Sequence, residues 1–177
     1  MDREGTVDVA CKAIEEAGRK GARLIAFPET SIPGYPYWRS ATGSRWAEYM
    51  VEYQKNSVRI PDDLGSILDS SGDAGITTVI GVSELDTTAG SRTLYNTIVF
   101  ISSEGEVMGR HRKLMPTHGE RMVWGLGDGT DLRTYRTEHG VLGGLICYEN
   151  HMTPVKSLLA LMGEEIQLRA MAGVLGS

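Results

Sequence analysis

One cysteine stands where a thiol could act as a nucleophile. Cys147 ends the apolar run 143–146 and precedes Tyr148-Glu149-Asn150 and a helix start near Thr153. Main-chain N–H groups at a helix opening, and a nearby cation, lower a thiol's pKa and so favour the attacking thiolate. The competing reading is a buried structural thiol, the usual state of a lone intracellular cysteine. Cys11 takes that reading, because it falls inside the apolar pattern of the first helical segment. Cys147 is set apart by its company. Glu29 follows one expected strand, Lys113 ends another, and Glu120 lies in a long connection. A thiol, a carboxylate base, an ammonium and a second acid are the parts of covalent hydrolysis, and a scaffold presents such groups at element ends. Each charge taken alone reads as a solvated surface group; only the fold can bring the four together.

The elements that must position them alternate. Val9, Ala10, Ala13, Ile14 and Ala17 recur at helical spacing and predict a helix from Thr6 to about Gly18, with Thr6 as its N-cap. Residues 23–27 read as a short buried strand stopped by Pro28, whose tip delivers Glu29 into a turn-dense loop running to Trp38. Residues 44–59 read as helix and 62–68 as a further helical turn or two. Residues 76–85 are β-branched and apolar, a buried strand. Residues 94–102 and 106–113 form a hairpin around Ser103-Glu104-Gly105, which brings Lys113 to a strand end. The connection 114–132 has the length of a functional loop. Residues 134–136 and 141–147 make a second hairpin, and its second strand ends on Cys147. A helix from Thr153 to about Gln167, with Pro154 in its first turn, closes the order. No repeat or linker divides the chain, so residues 1–177 read as one domain.

Composition narrows the function classes. Hydrophobic residues are 41% and charged residues 23% of the 177, a globular balance. The net charge is −5 with the signs interleaved, and no basic stripe offers itself to nucleic acid. Apolar runs are too short for a membrane span, and the N-terminus lacks a signal-peptide pattern. Two distant cysteines make no disulfide framework and fit a reducing, cytoplasmic setting. Cys147 and His151 at i, i+4 suggest a metal half-site that His111, His118 or His139 would complete. No second ligand pair at metal spacing accompanies them, so neither metal nor organic cofactor is expected.

Three stretches resemble the nitrilase family of carbon–nitrogen hydrolases. Residues 21–36, with Phe27-Pro-Glu29, resemble the block that carries the family's general base. Residues 111–129, His111-Arg-Lys113 through Glu120 to Gly129, resemble the block supplying its lysine and second glutamate. Gly143, Gly144, Cys147, Glu149 and Asn150 match its nucleophile motif, with Tyr148 where nitrilases usually have Trp and Thr153-Pro154 where proline and then an apolar residue are commoner. The run ending at Trp38 and the segment 124–129 are similar to the branch acting on nitriles and cyanide. The resemblance implies Glu29 as base, Lys113 and Glu120 as stabilising groups, and a Cys147 thioimidate and thioester on the way from nitrile to acid and ammonia. Tyr35, Tyr37, Trp38, Trp124 and Tyr148 would line the substrate, or pack loops onto the core. It implies an α/β fold, a partial αββα sandwich without the family's first strand and most of its second half, and residues 168–177 as a divergent tail. The alternative is an inactive or assembly-only chain, and stopping at the amide is a third outcome. Homo-oligomers are implied, with Val155, Leu158, Leu159 and Met162 as a dimer contact.

Overall fold

In a computed structural model, described here over residues 1–172, two sheets lie between helices. Helix α1 (Arg3–Arg19) starts earlier than its apolar pattern suggests, because the Asp2 carboxylate caps it by accepting from Gly5 N at 2.9 Å. Thr6 instead turns its hydroxyl back onto the first carbonyls. Strand β1 (Leu24–Ala26) runs parallel to β2 (Thr77–Leu85), which pairs antiparallel with β3 (Leu94–Ile101), and β3 with β4 (Val107–Arg112). Between β1 and β2 come α2 (Ser44–Asn56) and α3 (Gly65–Ala74). The helical turn expected near residue 62 thus continues well past 68. Its glycines obscure it: Gly72 lies against the Glu104 carbonyl, where an added Cβ would sit 3.1 Å from the oxygen.

The second sheet is β5 (Tyr135–Thr137), β6 (Gly140–Ile146) and β7 (Ile166–Ala170), with β5–β6 antiparallel and β6–β7 parallel. Helix α4 (Thr153–Leu161) joins β6 to β7. The expected helix to about Gln167 is therefore too long. Gly163 takes φ +84°, Gly163 N reaches Ala160 O and Glu164 N reaches Leu159 O, the paired bonds of a glycine-terminated helix end. Past that stop, residues 166–170 form a strand where the sequence suggested a departure from the pattern; residues 173–177 lie outside the described part.

The layers follow from which faces are apolar. One face of the larger sheet packs Ile80, Val82, Val99 and Ile101 against Ala10 and Ile14 of α1 and Ile67 of α3. Its other face sets Val79, Ile98 and Phe100 against Leu142 and Ile146 of the second sheet. The outer face of that sheet carries Leu145 under Leu159 of α4. The order is helix, sheet, sheet, helix, as the family resemblance implies. Strand β2, buried on both faces over 77–84, is its centre. Among the described residues no helix is long and apolar enough to cross a membrane.

Candidate active site

Three of the four reactive side chains meet directly. The Lys113 ammonium lies 2.8 Å from Glu29 Oε1 and 2.8 Å from Glu120 Oε2, and all three side chains are buried. Each comes from the end of an element. Glu29 follows β1, Lys113 follows β4, and Glu120 lies in a short 3-10 turn, His118–Met122. Cys147 follows β6 and opens another 3-10 turn, Cys147–His151. Its half-buried thiol feels the charges of Glu29, Lys113 and Glu120 together.

The backbone around these groups is held in uncommon conformations. Among the described residues, the non-glycine residues with positive φ are Thr30 (48°), His118 (47°) and Cys147 (52°): one follows Glu29, one opens the Glu120 turn, and one is the thiol itself. Such conformations cost about 1–3 kcal/mol each and persist only where surrounding contacts impose them. Those contacts are visible. Asn96 of β3 donates from its side chain to Glu29 Oε1, while its carbonyl accepts from Lys113 N at 2.8 Å, so one residue aligns base and cation. Ala172 N donates to Glu29 Oε2 at 3.0 Å. Glu120 accepts from the Tyr35 hydroxyl at 2.6 Å and from Thr117 N at 2.7 Å. Asn150 donates to the carbonyls of Leu145 and Cys147 and accepts from Gln167 of β7, which fixes the thiol-bearing turn to the sheet.

The electrostatics correct one expectation. Burial pushes the Cys147 thiol up, and the negative charges of Glu29 and Glu120 add to it; Lys113 and the Tyr148 N–H pull the other way and lose. Two carboxylates against one ammonium leave the cluster net negative, so the resting sulfur keeps its proton. Lys113 is raised: burial would lower it, but Glu29 and Glu120 outweigh burial and keep it an ammonium. Glu120 is lowered: burial raises it, and hydrogen bonds from Lys113, Tyr35 and Thr117 prevail.

The aromatics divide. Trp124 is buried beside Tyr53, Leu94 and Val123, with Nε1 donating to Ser83 Oγ at 3.0 Å. Trp38 packs on Tyr53, Tyr49 and Trp46. Tyr35 lies over Trp124 with centroids 5.8 Å apart and extends its hydroxyl into the charged cluster. Tyr148 is 59% exposed and stacks on His151. It lines a depression of about 330 Å³ with Met115, Pro116, His118, Arg121 and Met152. A second, mostly apolar depression of about 360 Å³ reaches Glu29 from the side of Phe27, Tyr35 and Tyr37.

Sequence reasoning gave no role to Glu149, which is fully buried and accepts from Ile146 N and Leu114 N at 2.8 and 2.7 Å. Nor did it give one to Asn96. The available signal was an acid two residues past the thiol, at the end of an apolar run.

Known proteins resemble this arrangement over almost the whole chain. The carbon–nitrogen hydrolase family model matches residues 1–176. A protein named Nitrilase 2, from an unknown prokaryotic organism, is 42% identical over 96% of this chain and 54% of its own length. A cyanide hydratase of Stereum hirsutum is 40% identical over 96% of this chain and 46% of its own. Among solved structures, Saccharomyces cerevisiae Nit3, a member of branch 10 of the nitrilase superfamily, superposes with a TM-score of 0.78 at 21% identity, covering 98% of this chain and 60% of that one. At that identity the likeness is one of fold. The chain spans about half the length of the curated relatives it matches.

Proposed function

The chain belongs to the carbon–nitrogen hydrolase family, and from that premise we propose that it hydrolyses nitriles, cyanide among them, to carboxylic acid and ammonia with Cys147 as nucleophile. The observation that carries the reading is the ammonium of Lys113 held at 2.8 Å by both Glu29 and Glu120, in charge contact with the thiol.

A thiol protonated at rest needs a base, and Glu29 is the carboxylate that takes its proton. The sulfur lone pair then forms the C–S bond to the nitrile carbon, and the nitrogen gains the proton, giving a thioimidate. Lys113 stabilises the negative charge that develops on that nitrogen. A water delivered through Glu29 and oriented by Glu120 adds to the carbon; the C–N bond breaks, ammonia leaves, and a thioester remains. A second water breaks the C–S bond and returns the proton to sulfur. The depression beside Tyr148 would take the substituent on the nitrile carbon. The names of the similar proteins, nitrilase and cyanide hydratase, support this substrate class.

A cytoplasmic location and self-association belong to the same proposal, supported by two unpaired cysteines and by the apolar residues exposed on α4. The alternative is an inactive or assembly-only chain. One assay separates them. Ammonia release from a nitrile panel that includes cyanide is expected from the parent chain and absent from Cys147→Ala. A folded parent that releases none overturns the hydrolytic reading.

A further inference from the structure

One buried charged cluster is not used by the chemistry above. His111 lies in β4, two residues before Lys113, and is 2% exposed. Its Nε2 is 3.2 Å from both carboxylate oxygens of Glu149, and its Nδ1 is 3.3 Å from Asp131 Oδ1. With a carboxylate at each ring nitrogen, both nitrogens donate and the ring is an imidazolium. Burial alone would push its pKa down; the bonds to Asp131 and Glu149 and their charges carry it up to about 9.

The two carboxylates use their remaining capacity on particular pieces of backbone. Glu149 accepts from Leu114 N at 2.7 Å and from Ile146 N at 2.8 Å. Asp131 accepts from Arg112 N at 3.0 Å. The cluster therefore grips the residue before Lys113, the residue after it, and the residue before Cys147.

We infer that Asp131, His111 and Glu149 are positioning residues that hold the Lys113 ammonium against the Cys147 thiol by tying the strand of one to the turn of the other. This rests on the proposed function for the roles of Lys113 and Cys147. Glu149 faces the imidazole from the Cys147 turn and Asp131 from the connection to β5. The residue paired with His111 across β3 is the apolar Ile98, and the flanking Arg110 and Arg112 turn to Glu84.

A merely structural cluster would change the melting temperature and leave the thiol's chemistry alone. The readout is therefore alkylation of Cys147 by iodoacetamide as a function of pH, in a Cys11→Ala background so that one thiol reacts. His111→Gln and Asp131→Asn are compared with that parent, and circular dichroism checks folding. With Lys113 less well aligned, the thiol midpoint in His111→Gln is expected to rise by about half a unit, so alkylation at neutral pH slows about threefold. The parent profile is expected to break near pH 9, where His111 gives up its proton. That break moves to lower pH in Asp131→Asn and vanishes in His111→Gln. Folded variants with the parent's profile overturn the inference. Should His111→Gln fail to fold, Asp131→Asn decides alone, since Asp131 sits at the surface with its side chain 20% exposed. Nitrile turnover is measured on the same samples. An active parent with unshifted profiles overturns the positioning role only, and a silent parent with shifted profiles overturns the hydrolytic reading only.

Discussion

Lys113 carries one positive charge into a space that holds two carboxylates, and its removal tests the whole arrangement. In Lys113→Met, Glu29 and Glu120 would face each other buried and without a cation, a change of the kind that costs about 3–5 kcal/mol. The pH dependence has a definite sign. Glu120 is lowered in the fold, so it contributes stability that is present above its unfolded pKa and lost as pH falls through its folded one. In the variant that contribution is gone, because its largest favourable partner is Lys113. Urea unfolding at neutral pH and again below the ordinary glutamate value of 4.5 should therefore show a large gap between parent and variant that narrows only in the acid range; a gap independent of pH would contradict this account. The same substitution removes a cation that opposes the upward push on Cys147. At this scale the sequence revealed the residues that end a strand or follow a strand-stopping proline, namely Glu29, Lys113 and Cys147. It did not reveal Asn96, whose partners Glu29 and Lys113 are distant in the chain, or Glu149, whose bond to Ile146 N is local but whose partners Leu114 and His111 are distant too, and no period marks such an encounter.

At the scale of elements, the loop that presents Glu29 crosses β2 at a residue with no side chain. A Cβ on Gly81 would lie 2.6 Å from Thr30 N and 2.9 Å from Glu29 Cα, and closer still to the Pro28 carbonyl oxygen. All three neighbours are backbone, so nothing can swing aside and the Glu29 loop must lift. Overpacking of this kind costs about 1–3 kcal/mol. A displacement of about 1 Å at a reacting group costs about 100-fold in rate. Gly81→Ala is expected to stay folded and to lose about two orders of magnitude in nitrile turnover. Gly143→Ala, whose new Cβ meets the flexible side chain of Glu164, is the control and should lose far less. Equal losses in the two would detach the effect from the Glu29 loop. Strand β2 was legible as a β-branched and apolar stretch, and the two hairpins as β-rich runs around short polar turns. The end of α4 was not, since its apolar spacing continues past Leu161 and only the positive φ of Gly163 stops it. Once the helix is stopped there, residues 166–170 are free to pair with β6, and that pairing brings Ala172 to the Glu29 carboxylate.

At the scale of the molecule, burial is uneven across the four layers. The helix side of the larger sheet is covered by α1 and α3 together, but among the described residues the outer face of the smaller sheet packs against α4 and Leu132. Of the residues expected to form a dimer contact, Leu159 is buried within the chain and Val155 packs on it, whereas Leu158 at 41% and Met162, just past the helix, at 43% are exposed, together with Leu161 at 86%. Beside α4, β7 pairs with β6 and, among the described residues, with no other strand, so one of its edges offers free N–H and C=O groups. An apolar helix face next to an open strand edge favours association with like surfaces, and a net charge of −5 spread over the chain opposes it weakly. Sedimentation velocity should therefore report species heavier than 19.3 kDa that grow with concentration. Leu161→Glu, which puts a charge on the most exposed apolar residue of α4, should shift the distribution toward a single chain with no loss of helix content. A parent that sediments as one 19.3 kDa species at every concentration would show that α4 and the β7 edge attract no second copy. Association that survives Leu161→Glu would transfer the contact from the helix face to the strand edge.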